Sequence, residues 1–177
     1  IDNYLNYYQS NAWTWEHQAL VRARFIAGDT RLAEQFKQIR QQVLALPRPK
    51  ETLKTEVVEM REKMRTHLGS KDQNLFDLKH SPGGITDIEF MVQFGVLAET
   101  AQFPELATFT DNVRLLEGLN ACKFLTIEDC TVLKQAYCSF RDLGHHYVLQ
   151  DQAVLVPNDQ FLELRLAVQR IWQRLMV

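Results

Sequence analysis

Breakers of regular structure are scarce, with seven glycines and five prolines in 177 residues. They sit at the edges of apolar-periodic segments, which is how a helical protein is punctuated. The three cysteines, Cys122, Cys130 and Cys138, are an odd number without CxxC spacing. Buried free thiols in a reducing cytoplasm are therefore expected, not a disulfide framework. No apolar run approaches the ~20 residues that span a bilayer, and no charged-then-apolar signal segment opens the chain, so no membrane is expected as a partner. Lys and Arg form no block, and the net charge is −2, so nucleic acid is not expected as the main partner. No period-2 run is long enough for a sheet; Phe76–Lys79 allows at most a tiny strand.

What is present is ordinary in bulk and periodic in detail. An apolar share of 46% and a charged share of 24% suit a globular chain. Its length fits one domain that buries roughly 70% of the surface exposed when unfolded. A first helix is expected over Asn11–Ile26, ending near Gly28. Asp29 can cap a second, with Leu32, Phe36, Ile39, Val43 and Leu46 at helical spacing until Pro47. A third, Glu51–Leu68, carries Leu53, Val57, Met60, Met64 and Leu68 on one stripe, and Gly69–Asn74 is a polar loop. Asp87–Ala101 is apolar nearly all round, the mark of a central helix. Asp111–Ala121 follows, capped by Thr110 or Asp111. Thr126-x-x-Asp129 resembles a capping box that opens a long helix to about Leu149. Asn158 can cap a last helix bearing Phe161, Leu164, Val168, Ile171, Trp172 and Leu175. The expected fold class is all-α, a bundle of about six or seven helices.

The segment Asp77–Phe90 (Asp-Leu-Lys-His-Ser-Pro-Gly-Gly-Ile-Thr-Asp-Ile-Glu-Phe) departs from this pattern. It joins a short extended run, a Pro-Gly-Gly turn and a helix start, with ionisable groups around them. Asp87 and Glu89 look like the paired acids that hold a divalent metal in a nucleotidyl transferase. On a helix, however, positions i and i+2 point roughly 200° apart. Thr86-x-x-Glu89 has capping-box spacing, which would turn Glu89 back to the Thr86 backbone N–H. Gly83 and Gly84 ahead of the helix can form an anion site, with Lys79 and His80 adding positive charge, or a turn using positive φ.

Two other groups compete for attention. In Trp13-Thr14-Trp15-Glu16-His17, leading to Arg22 and Arg24, Glu16 and His17 suit acid–base work and the arginines suit phosphate. The plainer reading is one helix with a tryptophan-bearing buried face and a solvated charged face. His145 and His146 are adjacent, poor geometry for two ligands on one helix. Asp142 and His146 are one turn apart, but such a lone pair is usually structural.

The two long segments carry a resemblance. Asp77–Phe90 closely resembles the signature of bacterial glutamine synthetase adenylyltransferases, the bifunctional adenylyl-transferring and adenylyl-removing enzymes; a related form occurs in PII uridylyltransferases. Trp13–Arg24 is similar to the segment after that family's nucleotidyltransferase core, and Val58–Arg65 and the Trp172 segment are similar too. The wording Gly-Gly-Ile-Thr-Asp-Ile-Glu resembles the C-terminal half, which transfers AMP from ATP to a tyrosine of glutamine synthetase. The uridylyltransferase branch is disfavoured because the chain ends without that family's further domains.

The resemblance implies ATP and Mg2+ in the parent enzyme, with none expected bound to this fragment. It also implies glutamine synthetase and the PII signal protein as partners, glutamine as an effector, and a cytoplasmic location. The chain opens on Ile1, not Met, in sequence that already reads as mid-helix, so a fragment is expected. Residues 1–28 would link to an upstream nucleotidyltransferase core, with 29–177 as the C-terminal bundle. The family's catalytic carboxylates lie in that core and map to no residue here, so the isolated fragment is expected to be inactive. Lys79, Gly83, Gly84, Asp87, Glu89 and Arg24 are the candidates for lying next to the nucleotide site. The competing expectation is a regulatory or scaffolding bundle that takes no part in the chemistry.

Overall fold

The structure, a computed structural model, describes residues 2–70, 72 and 74–177. Ile1, Lys71 and Gln73, and with them part of the expected 69–74 loop, lie outside the described residues. Among the described residues the chain forms α1 (Asp2–Ser10), α2 (Thr14–Arg22), α3 (Thr30–Leu44), α4 (Lys50–Leu68), β1 (Leu75–Asp77) and α5 (Ile85–Glu99). A 3-10 turn (Pro104–Ala107), α6 (Asn112–Ala121), α7 (Ile127–Leu149), β2 (Leu155–Pro157) and α8 (Leu162–Met176) follow. The protein is all-α apart from one two-stranded ribbon. No described helix is long and apolar enough to cross a membrane.

The chain divides into two compact units that interleave in sequence. The first comprises 1–57 and 92–125, the second 58–91 and 126–177.

In the first unit, Leu20, Ile39 and Val43 form a core that Leu5, Tyr8, Ala23, Phe36 and Leu46 cover. Arg40 is buried there without an acid. Its guanidinium donates to the carbonyls of Leu20 (3.0 Å), Val21 (2.5 Å), Phe109 (3.0 Å) and Ala107. A buried charge is tolerable only when its donors are matched in this way. Asp29 caps α3 through the Arg31 N–H (2.8 Å), as its position predicts. Past the end of α3, Arg48 folds back onto the carbonyls of Val43, Leu44 and Leu46. Asp111 caps α6 through the Arg114 N–H.

In the second unit, β1 and β2 pair antiparallel, with Phe76 opposite Val156. Phe140 of α7 sits between Phe76 and Phe161, at ring-centroid separations of 5.6 and 5.3 Å. The Thr126/Asp129 capping box opens α7 as the spacing predicts. Asp129 then takes an ion pair from Arg174 of α8.

Four expectations need correction. The single helix over Asn11–Ile26 is α2 alone, preceded by the separate helix α1; Glu16 accepts the Trp13 N–H at 2.8 Å, fixing the helix start there. Its tryptophan-bearing face is not buried: Trp13 is 71% and Trp15 49% exposed, whereas Gln18, Leu20 and Val21 are buried. Asn158 does not cap α8, because its side chain accepts from Arg165 at 2.6 Å and the helix starts only after Phe161, at φ +60°. Of the cysteines only Cys130 is buried; Cys122 is half-buried and Cys138 exposed.

Candidate functional site

The junction between β1 and α5 lies wholly in the second unit. Asp77 shapes its first turn: its Oδ1 accepts the Lys79 and His80 N–H groups at 2.8 and 3.0 Å. Chain reversal then needs Gly83, whose φ is +80° and where an added Cβ would meet the Arg165 carbonyl oxygen at 2.5 Å. Gly84 does not take positive φ; a Cβ there would come within 2.8 Å of the Leu78 oxygen, so the requirement is close backbone approach.

The helix start is closed to ligands through its backbone. Gly83 N–H donates to Asp87 Oδ2 at 2.6 Å, Gly84 N–H to the Ser81 oxygen, Ile85 N–H to the Leu78 oxygen and Thr86 N–H to the Lys79 oxygen. The expected anion site on free glycine N–H groups is thereby overturned, because those donors are used internally. The Thr86–Glu89 capping box is also absent. Helix α5 begins at Ile85, the Thr86 N–H is bonded to Lys79, and the side chain that turns back is Asp87, onto Gly83.

Asp87 is 1% exposed and its other oxygen meets two guanidiniums. Arg61 Nε lies 2.6 Å from Oδ1, and Arg65 Nη2 lies 3.2 Å from it. Arg61 is fully buried and also donates to the His80 carbonyl at 2.9 Å. One buried carboxylate thus ties α4 to the glycine turn. Arg61 and Arg65 lay in a segment that the resemblance covers, yet neither stood out as a site residue. The available signal was position: Leu53, Val57 and Arg61 form an unbroken i,i+4 buried line on α4. The expected stripe through Met60, Met64 and Leu68 runs off that line, and Leu68 is 52% exposed.

The metal that the resemblance implies finds no fit at Asp87, whose oxygens are already held by Arg61, Arg65 and Gly83. Among the described residues no group of three or more His, Cys, Asp or Glu side chains is placed to hold a metal ion.

Asp87 and Glu89 face different depressions, as their angular separation requires. Asp87 lines a cleft between α4 and α8. Glu89 lines a pocket of about 320 Å³ with Lys79, Arg141 and His145. Lys79 is exposed, and Arg141 contacts the Tyr137 hydroxyl (2.9 Å) and His145 Nε2 (3.3 Å). His80 adds less charge than expected, because burial lowers its pKa.

The remaining candidates belong to the first unit. Arg24 is exposed beyond the end of α2, beside an apolar groove with Tyr4, Phe25 and Leu32. Glu16 is spent on the Trp13 N–H and the Tyr7 hydroxyl. His17 stacks on Tyr8 at 5.6 Å and bonds the Tyr8 carbonyl at 2.9 Å; burial lowers its pKa, with the Arg48 charge acting in the same direction. Acid–base work by Glu16 and His17 gives way to packing roles.

Comparison with known proteins finds both branches named by the resemblance, the disfavoured uridylyltransferase branch included. The family model described as GlnD PII-uridylyltransferase matches residues 52–170, and that described as glutamate-ammonia ligase adenylyltransferase matches residues 1–39. Two curated relatives carry the name bifunctional glutamine synthetase adenylyltransferase/adenylyl-removing enzyme. The one from Shewanella loihica is 50% identical over 97% of this chain, and the one from Pseudomonas aeruginosa 46% identical over 96%. The chain spans 18% of the length of each. The chain belongs to the family whose model is described as GlnD PII-uridylyltransferase, and over nearly its whole length it is similar to glutamine synthetase adenylyltransferases.

Proposed function

We propose that this chain is the C-terminal helical domain of a glutamine synthetase adenylyltransferase, a nucleotidyltransferase, and that it supports transfer of AMP from ATP to a tyrosine of glutamine synthetase. The observation that carries this reading is the braced junction. A buried Arg61–Asp87 pair holds the Gly83 turn, and the turn presents Lys79 on an exposed pocket wall with Arg141 and His145. Lys79 supplies positive charge to a phosphate, Arg141 adds a second cation to the pocket wall, and Asp87 holds the loop in shape. ATP and Mg2+ belong to the upstream nucleotidyltransferase core in this proposal. That core works in the cytoplasm with glutamine synthetase as its protein substrate.

Lys79→Ala in the parent enzyme should lower kcat/KM for ATP by about tenfold, the scale of one charge-assisted phosphate contact, with the helical content unchanged. Unchanged kinetics would sink the phosphate-facing role.

A second reading, a regulatory or docking domain, is favoured by the exposed apolar side chains of the first unit. Trp13, Trp15 and Ile26 stand in solvent at 71, 49 and 74% exposure, and exposed apolar residues of this kind mark interaction surfaces. The two readings separate in a titration of the chain with ATP–Mg2+, glutamine and PII. Saturable binding of glutamine or PII without nucleotide supports the regulatory domain; no binding of either supports the proposal above, in which ATP and Mg2+ are held by the upstream core.

A further inference from the structure

The cleft on the Asp87 side of the junction has a chemistry of its own. It is about 690 Å³ in volume and is walled by α4, the Pro82 turn and α8. That is within the range of small-molecule sites, roughly 300–1,000 Å³. Three arginines line it, Arg65 from α4 and Arg170 and Arg174 from α8. Arg170 and Arg174 are four residues apart and so share a helix face.

The charges in this cleft do not cancel. Glu62 and Asp87 balance Arg65 and the buried Arg61, and Asp129 balances Arg174. Arg170 is exposed and has no ion pair among the described residues. Donors remain as well as charge. A guanidinium carries five N–H groups. Arg174 is engaged with Asp129 through Nη2, and the buried Nε of Arg65 has no hydrogen-bond partner. Gln169 is held in place by donating to the Pro82 carbonyl at 2.9 Å, which ties α8 to the junction at the cleft rim. Guanidinium forks match the paired oxygens of phosphate and carboxylate, and they outperform ammonium groups there.

We propose that this cleft binds a small molecule through a phosphate or carboxylate group, gripped by Arg170 and Arg174 with Arg65 at the back. The inference is independent of the Lys79 pocket, which opens on the other side of α5. Asp87 gives the site a readout. It shares Arg65 with the cleft while its Oδ2 holds the Gly83 N–H, so an oxyanion that draws on Arg65 changes the field at Gly83.

The test is an NMR titration of the isotopically labelled chain with inorganic phosphate, AMP and succinate, following the arginine Nε–H groups and the Gly83 amide. At least one probe should give saturable shifts at Arg170 and Arg174, accompanied by Gly83. Arg170→Ala should weaken that binding by about tenfold or more, whereas Arg170→Lys should weaken it less. Arg170 is exposed, so these variants leave the core intact. Tighter binding of phosphate than succinate identifies the phosphate class, the reverse order the carboxylate class, and tighter binding of AMP than phosphate shows that the whole cleft is used. No saturable shift with any probe overturns the proposal. So does binding that survives Arg170→Ala unchanged, or binding that Lys79→Ala abolishes, since either places the ligand elsewhere.

Discussion

Arg61 has no exposed surface, and its charge is matched by Asp87 at 2.6 Å. Removing one partner of such a pair leaves the other charge buried and unmatched, a cost of about 3–5 kcal/mol. Asp87→Ala should therefore lower the urea-unfolding free energy by about that amount, and Arg61→Met together with Asp87→Leu should cost distinctly less than their sum. A double-variant cost equal to the sum of the single costs would show that the pair does not act as a unit. Gly83→Ala tests the same turn from the backbone side. With φ at +80° and a carbonyl 2.5 Å from the new Cβ, it should destabilise by more than about 1 kcal/mol, measured in the same way. A neutral result would mean that the turn relaxes freely. In the sequence Asp87 was conspicuous and Arg61 was not. An arginine on a charged helix reads as solvated, because arginine is seldom buried, and only its place on the Leu53–Val57 line says otherwise. The glycines were legible as a turn, but the destination of each N–H was not, since that depends on where Leu78, Lys79 and Ser81 place their carbonyls.

Helices with a strong periodic or capping signal were readable, and those whose ends are set by tertiary contact were not. Helix α5, apolar nearly all round, is buried from Ile88 to Ala98 apart from a few positions, and the α7 capping box formed where its spacing put it. The sequence predicts one helix over Asn11–Ile26, whereas α2 covers only Thr14–Arg22 and α1 (Asp2–Ser10) precedes it. The break at Asn11–Trp13 depends on Glu16 capping backward and on Tyr7 bonding Glu16, contacts that no local pattern announces. His17 locks α2 to Tyr8 of α1, and burial holds its pKa below the ordinary histidine value; His80 is lowered for the same first reason. The unfolded chain binds the proton more readily than the folded one. Stability from these neutral rings is therefore complete above the unfolded pKa of about 6.5 and is lost as pH falls below it. The thermal midpoint should fall between about pH 7.5 and 5.5, and His17→Gln should flatten that fall. An identical slope in the variant would remove His17 from the account.

For the molecule as a whole, sequence order was a poor guide to organisation. The two units interleave, and α4 and α5 each contribute residues to both. The family resemblance was more legible than the arrangement of the units, because a long motif such as Asp77–Phe90 survives as a string even where its geometry is misjudged. The geometry then changes what the motif does. Its most conspicuous acid is a brace between α4 and a glycine turn, not a metal ligand. That claim meets its most direct test in the Mg2+ dependence of the AMP transfer proposed for the parent enzyme, measured on the protein carrying Asp87→Asn. If Asp87 braces the turn, activity falls while the half-saturating Mg2+ concentration stays within about twofold of the unsubstituted enzyme. A rise of about tenfold or more in that concentration, in a protein that still folds, would contradict the account and make Asp87 a metal ligand.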